Sequence, residues 1–446
     1  MAADQNRQAR PGGGGRPELD RLEELGIVGA GGGGFPTAVK LRTKVPLVIV
    51  NGAECEPLLH KDKELLLHHS DAMLLGLRTA MDRVGASDGV IGIKAKYANI
   101  IHSISQQAPD GIRVLPLPDT YPAGDEFILV YEVTGRVIPP GGLPRDVGAV
   151  VLNVETLVNI GFDQPVTHKY LTVAGAVTAP VTLRVPVGMS AGEVIEVAGG
   201  ASTDDFGILL GGVMMARCGE LDTPVTKATG GIVVLPSSHK LIQRHQAKGW
   251  HVQRNGRSAC DQCRFCTEFC PRYLLGHPIE PHRAMQALGF TGVTDAMIAG
   301  TLYCCECNLC TMYACPEDLD PKTVCARAKP MARDKGLTFR GKLEDITPHP
   351  LARSRRVPIR RLMLRLGLNQ FRNVGPLDDR PLSPRRVRIP LHQHAGAPAV
   401  AIVKPGDRVV AGDLLAVPRG EELGARIHAS IDGIVRSVTD AIEIEA

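Results

Sequence analysis

Two short rows of cysteine hold the residues best suited to chemistry. Cys260, Cys263, Cys266 and Cys270 stand in CDQCRFCTEFCP, spaced C-x2-C-x2-C-x3-C-P. Cys304, Cys307, Cys310 and Cys315 stand in CCECNLCTMYACP, with one more residue before the last cysteine. Thiolates this close let one loop wrap a 4Fe-4S cluster while its N–H groups point at the sulfurs, and the proline turns the chain away after the last ligand. Zinc also takes four thiolates, but usually from two separated C-x2-C pairs. The extra residue of the second row reads as a loop bulge. Cys305, beside Cys304, could compete as a ligand, and the register favours Cys304.

In paired-cluster runs the fourth cysteine of each row serves the other cluster. The expected sets are Cys260, Cys263, Cys266 and Cys315 for one, and Cys304, Cys307, Cys310 and Cys270 for the other. Two adjacent clusters would form a one-electron conductor. The rows use eight of the chain's 12 cysteines, which argues against a disulfide framework and for a reducing, cytoplasmic compartment. Cys218 and Cys325 read as small core residues.

A second feature is GIVGAGGGGFPTAVKL (26–41), where Gly29, Gly31 and Gly34 give the pattern G-x-G-x-x-G. A dinucleotide loop should follow a strand, yet RPELDRLEELGIV upstream reads as a charged helix. The glycines allow close backbone approach to a phosphate or a flavin ring, and Lys40 could add positive charge. A helix should start just after, with Pro36 in its first turn.

Elements must position these groups. PLVIVNG (46–52), GVIGIKAK (89–96) and IRVLPLP (112–118) read as strands, and residues 61–84 as one long amphipathic helix. Residues 17–165 therefore form an α/β unit with a mainly parallel sheet. Residues 166–236 read as a small α+β domain in which Ser190 and Glu193 make a capping box. Residues 237–340 hold the cysteine rows, and 341–387 a basic linker with one amphipathic helix over 358–372. Short β-like runs fill 388–446. Residues 1–16 read as a disordered leader without the apolar core of a signal peptide. No run reaches the roughly 20 apolar residues of a membrane span. The net charge of +4 is too mild to indicate nucleic acid.

Together these stretches resemble a known group. GAGGGGFPTAVK followed by VNGAECEP is similar to the flavin site of the complex I flavin subunit and of its counterpart in the Rnf electron-transport complex, RnfC. YPAGDE (121–126), TGRVIPPGGLPRDVG (134–148) and NVETL (153–157) are similar to the Rnf-type members especially. The resemblance implies a Rossmann-like FMN/NADH domain with Gly29, Gly31, Gly32, Lys40, Asn51, Asn153 and Thr156 on FMN. It implies that Glu54, Glu56, Gly124, Asp125 and Glu126 line the flavin and nicotinamide side. Ala30 stands where complex I subunits have Arg, and Ala53 where they have Asp, so contacts of those two side chains do not carry over. Residues 166–236 resemble a β-grasp (soluble-ligand-binding) domain, and 237–340 a two-cluster ferredoxin-like domain. Residues 388–446 resemble an all-β barrel-sandwich hybrid domain of lipoyl-like pattern. No lysine follows Lys404, so that last domain is a structural or docking module rather than a lipoylated arm.

The hybrid domain follows the clusters instead of preceding the flavin domain, and this order resembles the PduS-type cobalamin reductases of bacterial microcompartments. The resemblance implies a multidomain α/β and α+β flavoprotein. It would pass electrons from NADH through FMN and two 4Fe-4S clusters to cobalamin, taking cob(II)alamin to cob(I)alamin. Implied partners are a corrinoid adenosyltransferase and microcompartment shell proteins. No corrin-binding D-x-H-x-x-G pattern is present, and no nucleophile or general-base pair is expected. Two other readings stay open. One is an Rnf-like, membrane-associated NADH:ferredoxin electron-transport subunit. For it, the basic helix with Ile359, Leu362, Met363 and Leu366 on one face could lie on a membrane, although packing on its own protein is favoured. The other is a non-catalytic polyferredoxin-like subunit whose flavin site has decayed, as Ala30 and Ala53 suggest.

Overall fold

The computed structural model describes residues 19–247, 249–290 and 294–446; the expected leader over 1–16 lies outside them. The first unit is built on a sheet of strands β1 (Leu47–Gly52), β2 (Asp88–Lys94) and β3 (Ile112–Leu117). The two-residue strand β4 (Thr120–Tyr121) follows, then β5 (Ala149–Asn153). The order is β3-β2-β1-β5, with every pair parallel. Val48, Ile49 and Val50 are fully buried, as expected of a strand covered on both faces. The register sets Asn51 directly beside Asn153, at the carboxyl edge of the sheet where open α/β folds bind ligands.

The single helix expected over 61–84 is two, Lys61–His68 and Ser70–Val84, broken at His69 (φ −131°). His69 leaves the helical backbone, and its Nε2 lies 3.3 Å from the hydroxyl of Tyr170 in the next domain. The second of these helices crosses helix Val154–Phe162 at backbone contact. A Cβ on Gly76 would meet the carbonyl oxygen of Leu157 at 2.0 Å, and one on Gly161 that of Ala72 at 2.0 Å. A methyl at either position would force the helices apart at a cost of about 1–3 kcal/mol. This crossing fixes the start of helix Val154–Phe162, and with it Asn153 and Thr156.

The next unit contains strands β6 (His168–Gly175), β7 (Val181–Pro186), β8 (Phe206–Leu210), β9 (Arg217–Gly219) and β10 (Gly231–Pro236). The Ser190–Glu193 capping box starts its helix Ala191–Val197. The basic linker adds two short strands: β11 (Val357–Pro358) pairs with β4, and β12 (Leu377–Asp378) extends this sheet to β12-β7-β6-β10-β8-β9. The linker is therefore part of two sheets. Its helix, Ile359–Arg365, is shorter than expected because Gly367 (φ +70°) ends it. Ile359, Leu362, Met363 and Leu366 are buried in the chain's own core, so this stripe is not free to lie on a membrane. No described helix is long and apolar enough to cross one.

Helices Phe265–Glu268, Pro271–Leu274, Pro281–Ala287 and Pro321–Asp334 frame the cysteine rows. The C-terminal unit is all β, a four-stranded sheet facing a three-stranded one around Val387, Ile389, Leu415, Ile427 and Ile444. It docks on the flavin side of the molecule: Ala395 N donates to Gly34 O at 2.9 Å. Lys227, buried between the domains, donates to Gly26 O and Arg426 O, each at 2.8 Å.

Candidate flavin cleft and cluster loops

The glycine-rich loop closes on itself, Gly29 N donating to Phe35 O at 2.8 Å and Gly34 N to Gly29 O at 3.0 Å. Its hinge is held at both ends of one residue: Ala30 N donates to Thr156 Oγ1 at 2.9 Å, and Lys169 Nζ donates to Ala30 O at 2.8 Å. The Ala30 backbone thus carries the anchoring at a position where the side chain is a methyl. Lys169 also pairs with Glu155, and Lys61 pairs with Asp62 (2.6 Å) and Glu155 (3.2 Å). All four are buried. Burial alone would pull Lys61 down, but Asp62 and Glu155 hold it above its ordinary value. Burial pulls Lys169 down to about 8.

Over this network opens a cleft of about 290 Å³. Ala30, Gly31, Gly32, Asn51 and Asn153 wall one side, and Glu54, Glu56, Gly124 and Asp125 another. Asn51 Nδ2 donates to Gly124 O at 2.7 Å, and Asn153 Nδ2 to Asp62 Oδ2 at 2.8 Å. The site fits a flavin nucleotide on its own geometry. Gly32, at φ +106°, has nothing within 4 Å of where a Cβ would stand, so its backbone is open to a ligand. A Cβ on Gly31 would press on Asn153 at 3.3 Å, and one on Gly124 on Cys55 Sγ at 3.3 Å.

Not every expected residue reaches the cleft. Gly29 and Thr156 act behind it, as loop closure and anchor. Lys40 and Glu126 lie outside the lining and pair with each other at 2.6 Å. Glu56 lines the cleft, but its carboxylate accepts the N–H groups of Val213, Met214 and Met215 at 2.9–3.0 Å. Asp125 caps helix Glu126–Thr134 and pairs with Arg272 Nη2 at 2.9 Å. Burial, and then the neighbouring Asp62, push Glu54 up to about 8. Sequence reasoning missed Lys61, Asp62 and Tyr121 as lining residues. Lys61 opens a helix between His60 and Asp62, and only the fold turns it inward.

The same cleft is walled by Cys305 and Cys307 of the second row, and Tyr121 Oη donates to Cys307 O at 2.7 Å. The rows share one backbone. Gln262 and Arg264 have φ of +58° and +67°, and Glu306 and Asn308 have φ of +58° and +68°. Left-handed residues on both sides of the middle cysteine turn successive N–H groups inward, the concavity in which many iron–sulfur sites sit. This equivalence aligns Cys304, Cys307 and Cys310 with Cys260, Cys263 and Cys266, and leaves Cys305 outside the repeat. The extra residue of the second row is taken up by a π-helical turn, Cys310–Ala314, rather than a loop bulge.

Burial raises Cys266 and Cys270; the neighbouring thiols that add to this are Cys260, Cys263 and Cys315 for Cys266, and Cys305 and Cys304 for Cys270. Cys315 accepts from Leu319 N at 3.3 Å, and Cys304 from Glu306 N at 3.4 Å. Cys325 is fully buried in one apolar cluster with Cys315 and Cys304, so it belongs to the surroundings of the second row. Cys218 is exposed, because β9 is a short edge strand.

Three family models match parts of the chain. Residues 22–161 match the Nuo51 FMN-binding domain family, residues 259–320 the 4Fe-4S dicluster domain family, and residues 376–446 the RnfC barrel sandwich hybrid domain family. A flavin-binding domain and a dicluster domain on one chain define an iron–sulfur flavoprotein, an oxidoreductase. The chain is 44% identical over 428 residues to cobalamin reductase PduS of Salmonella typhimurium, with 94% of each protein covered. It is 42% identical to that of Citrobacter freundii over the same shares. It is also 35% identical over 261 residues, 56% of each chain, to a subunit of the Na(+)-translocating ferredoxin:NAD(+) oxidoreductase complex of Acetobacterium woodii. The chain belongs to the PduS cobalamin reductase family.

Proposed function

We propose that the chain is an NADH-dependent cobalamin reductase that uses FMN and two 4Fe-4S clusters to take cob(II)alamin to cob(I)alamin. When bound, the flavin supplies the conversion from a two-electron hydride donor to single electrons, and the clusters supply conduction. Overall, one NADH and two cob(II)alamin give NAD+, one proton and two cob(I)alamin. Gly31 and Gly32 offer backbone N–H groups without side-chain obstruction, Asn51 and Asn153 offer amides at adjacent strand ends, and Lys61 is the cation in the lining. Thr156 and Lys169 keep the loop in place. Glu54, protonated at neutral pH, can donate a hydrogen bond where a carboxylate could only accept one.

The observation that supports this reading most is the shared wall: the glycine loop and Cys305 and Cys307 border one cleft. An electron source bound there would touch the second cysteine row directly. The eight row cysteines are proposed as ligands in crossed sets, Cys315 joining the first row's cluster and Cys270 the second's. The same reading takes 17–165 as Rossmann-like, 166–236 as β-grasp, 237–340 as ferredoxin-like and 388–446 as the barrel-sandwich hybrid. Residence in a bacterial microcompartment is part of it, tested by co-purification with shell proteins.

The deciding experiment is anaerobic reconstitution with iron, sulfide and FMN, followed by NADH and cob(II)alamin. NADH should bleach the protein and the cob(I)alamin absorbance should appear. A protein that binds no FMN and does not bleach with NADH is not a reductase. Bleaching that passes to ferredoxin but never to corrin would support the Rnf-like reading instead.

A further inference from the structure

A second cleft, of about 570 Å³, lies between edge strand β9 and the second cysteine row with residues 317–323 that follow it. This is within the range of small-molecule sites and larger than the flavin cleft. The two clefts are separated by the segment Val213–Met215. Its N–H groups are held by Glu56 on the flavin side. Its carbonyls face the other way: Met214 O accepts from Asn308 Nδ2 at 2.9 Å, and Val213 O lies 3.0 Å from His245 Nε2.

Asn308 lines this second cleft between Cys307 and Cys310, is only 5% exposed, and its Oδ1 has no partner. A flip of the amide would not relieve it, because Oδ1 would then face the Met214 carbonyl. A buried amide oxygen without a donor costs about 1–3 kcal/mol, and a ligand bearing an N–H would recover that. The lining charges balance, Arg217, Arg244 and Lys322 against Glu317, Asp318 and Asp320. Arg244 and Asp318 already pair, Nη1 to Oδ1 at 3.4 Å. Such a wall suits a neutral, amide-rich molecule better than an anion or an acidic protein surface. The cleft also reaches the far end of the same row, through Leu319, whose N–H donates to Cys315 Sγ.

We propose that this cleft receives one edge of the corrinoid acceptor, with Asn308 Oδ1 accepting a hydrogen bond from a peripheral amide of the corrin. The proposal rests on the cobalamin reductase reading and adds the place where the acceptor sits. An acceptor held there lies against the second cysteine row and is walled off from the flavin cleft by residues 213–215. Electrons would therefore reach it by way of that row.

The test is equilibrium dialysis of the reconstituted full chain against cob(II)alamin under anaerobic conditions. Asn308→Gly suits the positive φ and removes the acceptor, and Cys218→Trp fills the cleft from the opposite wall without touching either cysteine loop. Each should weaken binding about tenfold, the factor that corresponds to one lost hydrogen bond. Iron and FMN per chain, measured on the same samples, report whether the fold survives. If both variants keep their cofactors and bind cob(II)alamin as tightly as the parent, the site is overturned while the reductase reading stands. If the parent binds no cob(II)alamin the site is also overturned, and if it fails to reduce it as well, the reductase reading falls with it.

Discussion

Cys260–Cys266 and Cys304–Cys310 trace the same loop, left-handed on both sides of the middle cysteine, in different surroundings. The ends are alike, Cys260 and Cys304 half-buried and Cys266 and Cys310 buried. The middle differs: Cys263 is exposed, whereas Cys307 is buried and borders the flavin cleft. Identical spacing thus builds identical loops, while partners from distant sequence decide what each loop faces. Tyr121 and Met214 meet the second row from 186 and 94 residues away. Of two equivalent loops, only the second comes to border the flavin cleft, the entry side, in this way.

The sharpest way to break the comparison is to remove the equivalence itself. If the second row repeats the first, Cys304→Ala should cost roughly half of the bound iron, since four thiolates hold each cluster. Cys305→Ala, one residue on, should retain all of it. Iron and sulfide per chain after reconstitution read both outcomes. Full iron in Cys304→Ala with loss in Cys305→Ala would show that the loops differ in ligand choice despite their shared backbone.

How much of this was legible before folding depends on range. The cysteine register, the strands around Val48–Val50 and the Ser190–Glu193 cap are written in neighbouring residues, and each is present as read. Features made by distant partners were not. His69 breaks a helix because it meets Tyr170. Glu56 turns from the cleft to three N–H groups more than 150 residues away. The linker forms β11 and β12 because β4 and the edge strand β7 leave backbone groups for it to pair with. Lys40 looked like a phosphate cation, but it pairs with Glu126 outside the cleft, and Lys61, for which the sequence offered no role, lines it instead.

A second prediction concerns what ties the entry side together. Arg272 follows Cys270 by two residues, pairs with Asp125 at the lip of the flavin cleft, and lies 3.5 Å over the Phe127 ring. Both partners are largely buried, with side chains 9% and 13% exposed. Asp125→Asn leaves the guanidinium without its counter-charge and should cost about 3 kcal/mol, seen as a lower denaturation midpoint. The exposed counterpart at the other end of the same row, Arg264–Glu280 at 3.4 Å, should lose less than about 1 kcal/mol on Glu280→Gln. Equal losses would mean that the Cys270 end, beside the flavin cleft, is no more rigidly mounted than the exposed end.

The smallest expected effect is the most specific to the flavin side. Burial and the neighbouring Asp62 raise Glu54 to about 8 from an ordinary 4.5. Between those values the folded chain holds a proton that the unfolded chain has released. Stability must then fall as pH rises through the window, because the native state binds more protons there. Glu54→Gln keeps the shape and the donor without the titration, so its melting temperature should fall less across the same range. The gap between parent and variant should open from pH 4.5 and level off above pH 8. A parent whose pH profile runs parallel to that of Glu54→Gln would mean that Glu54 is ionised in the fold. The cleft would then meet its ligand with a negative charge beside Asp62, and the neutral, hydrogen-bonding wall of the entry side would be absent.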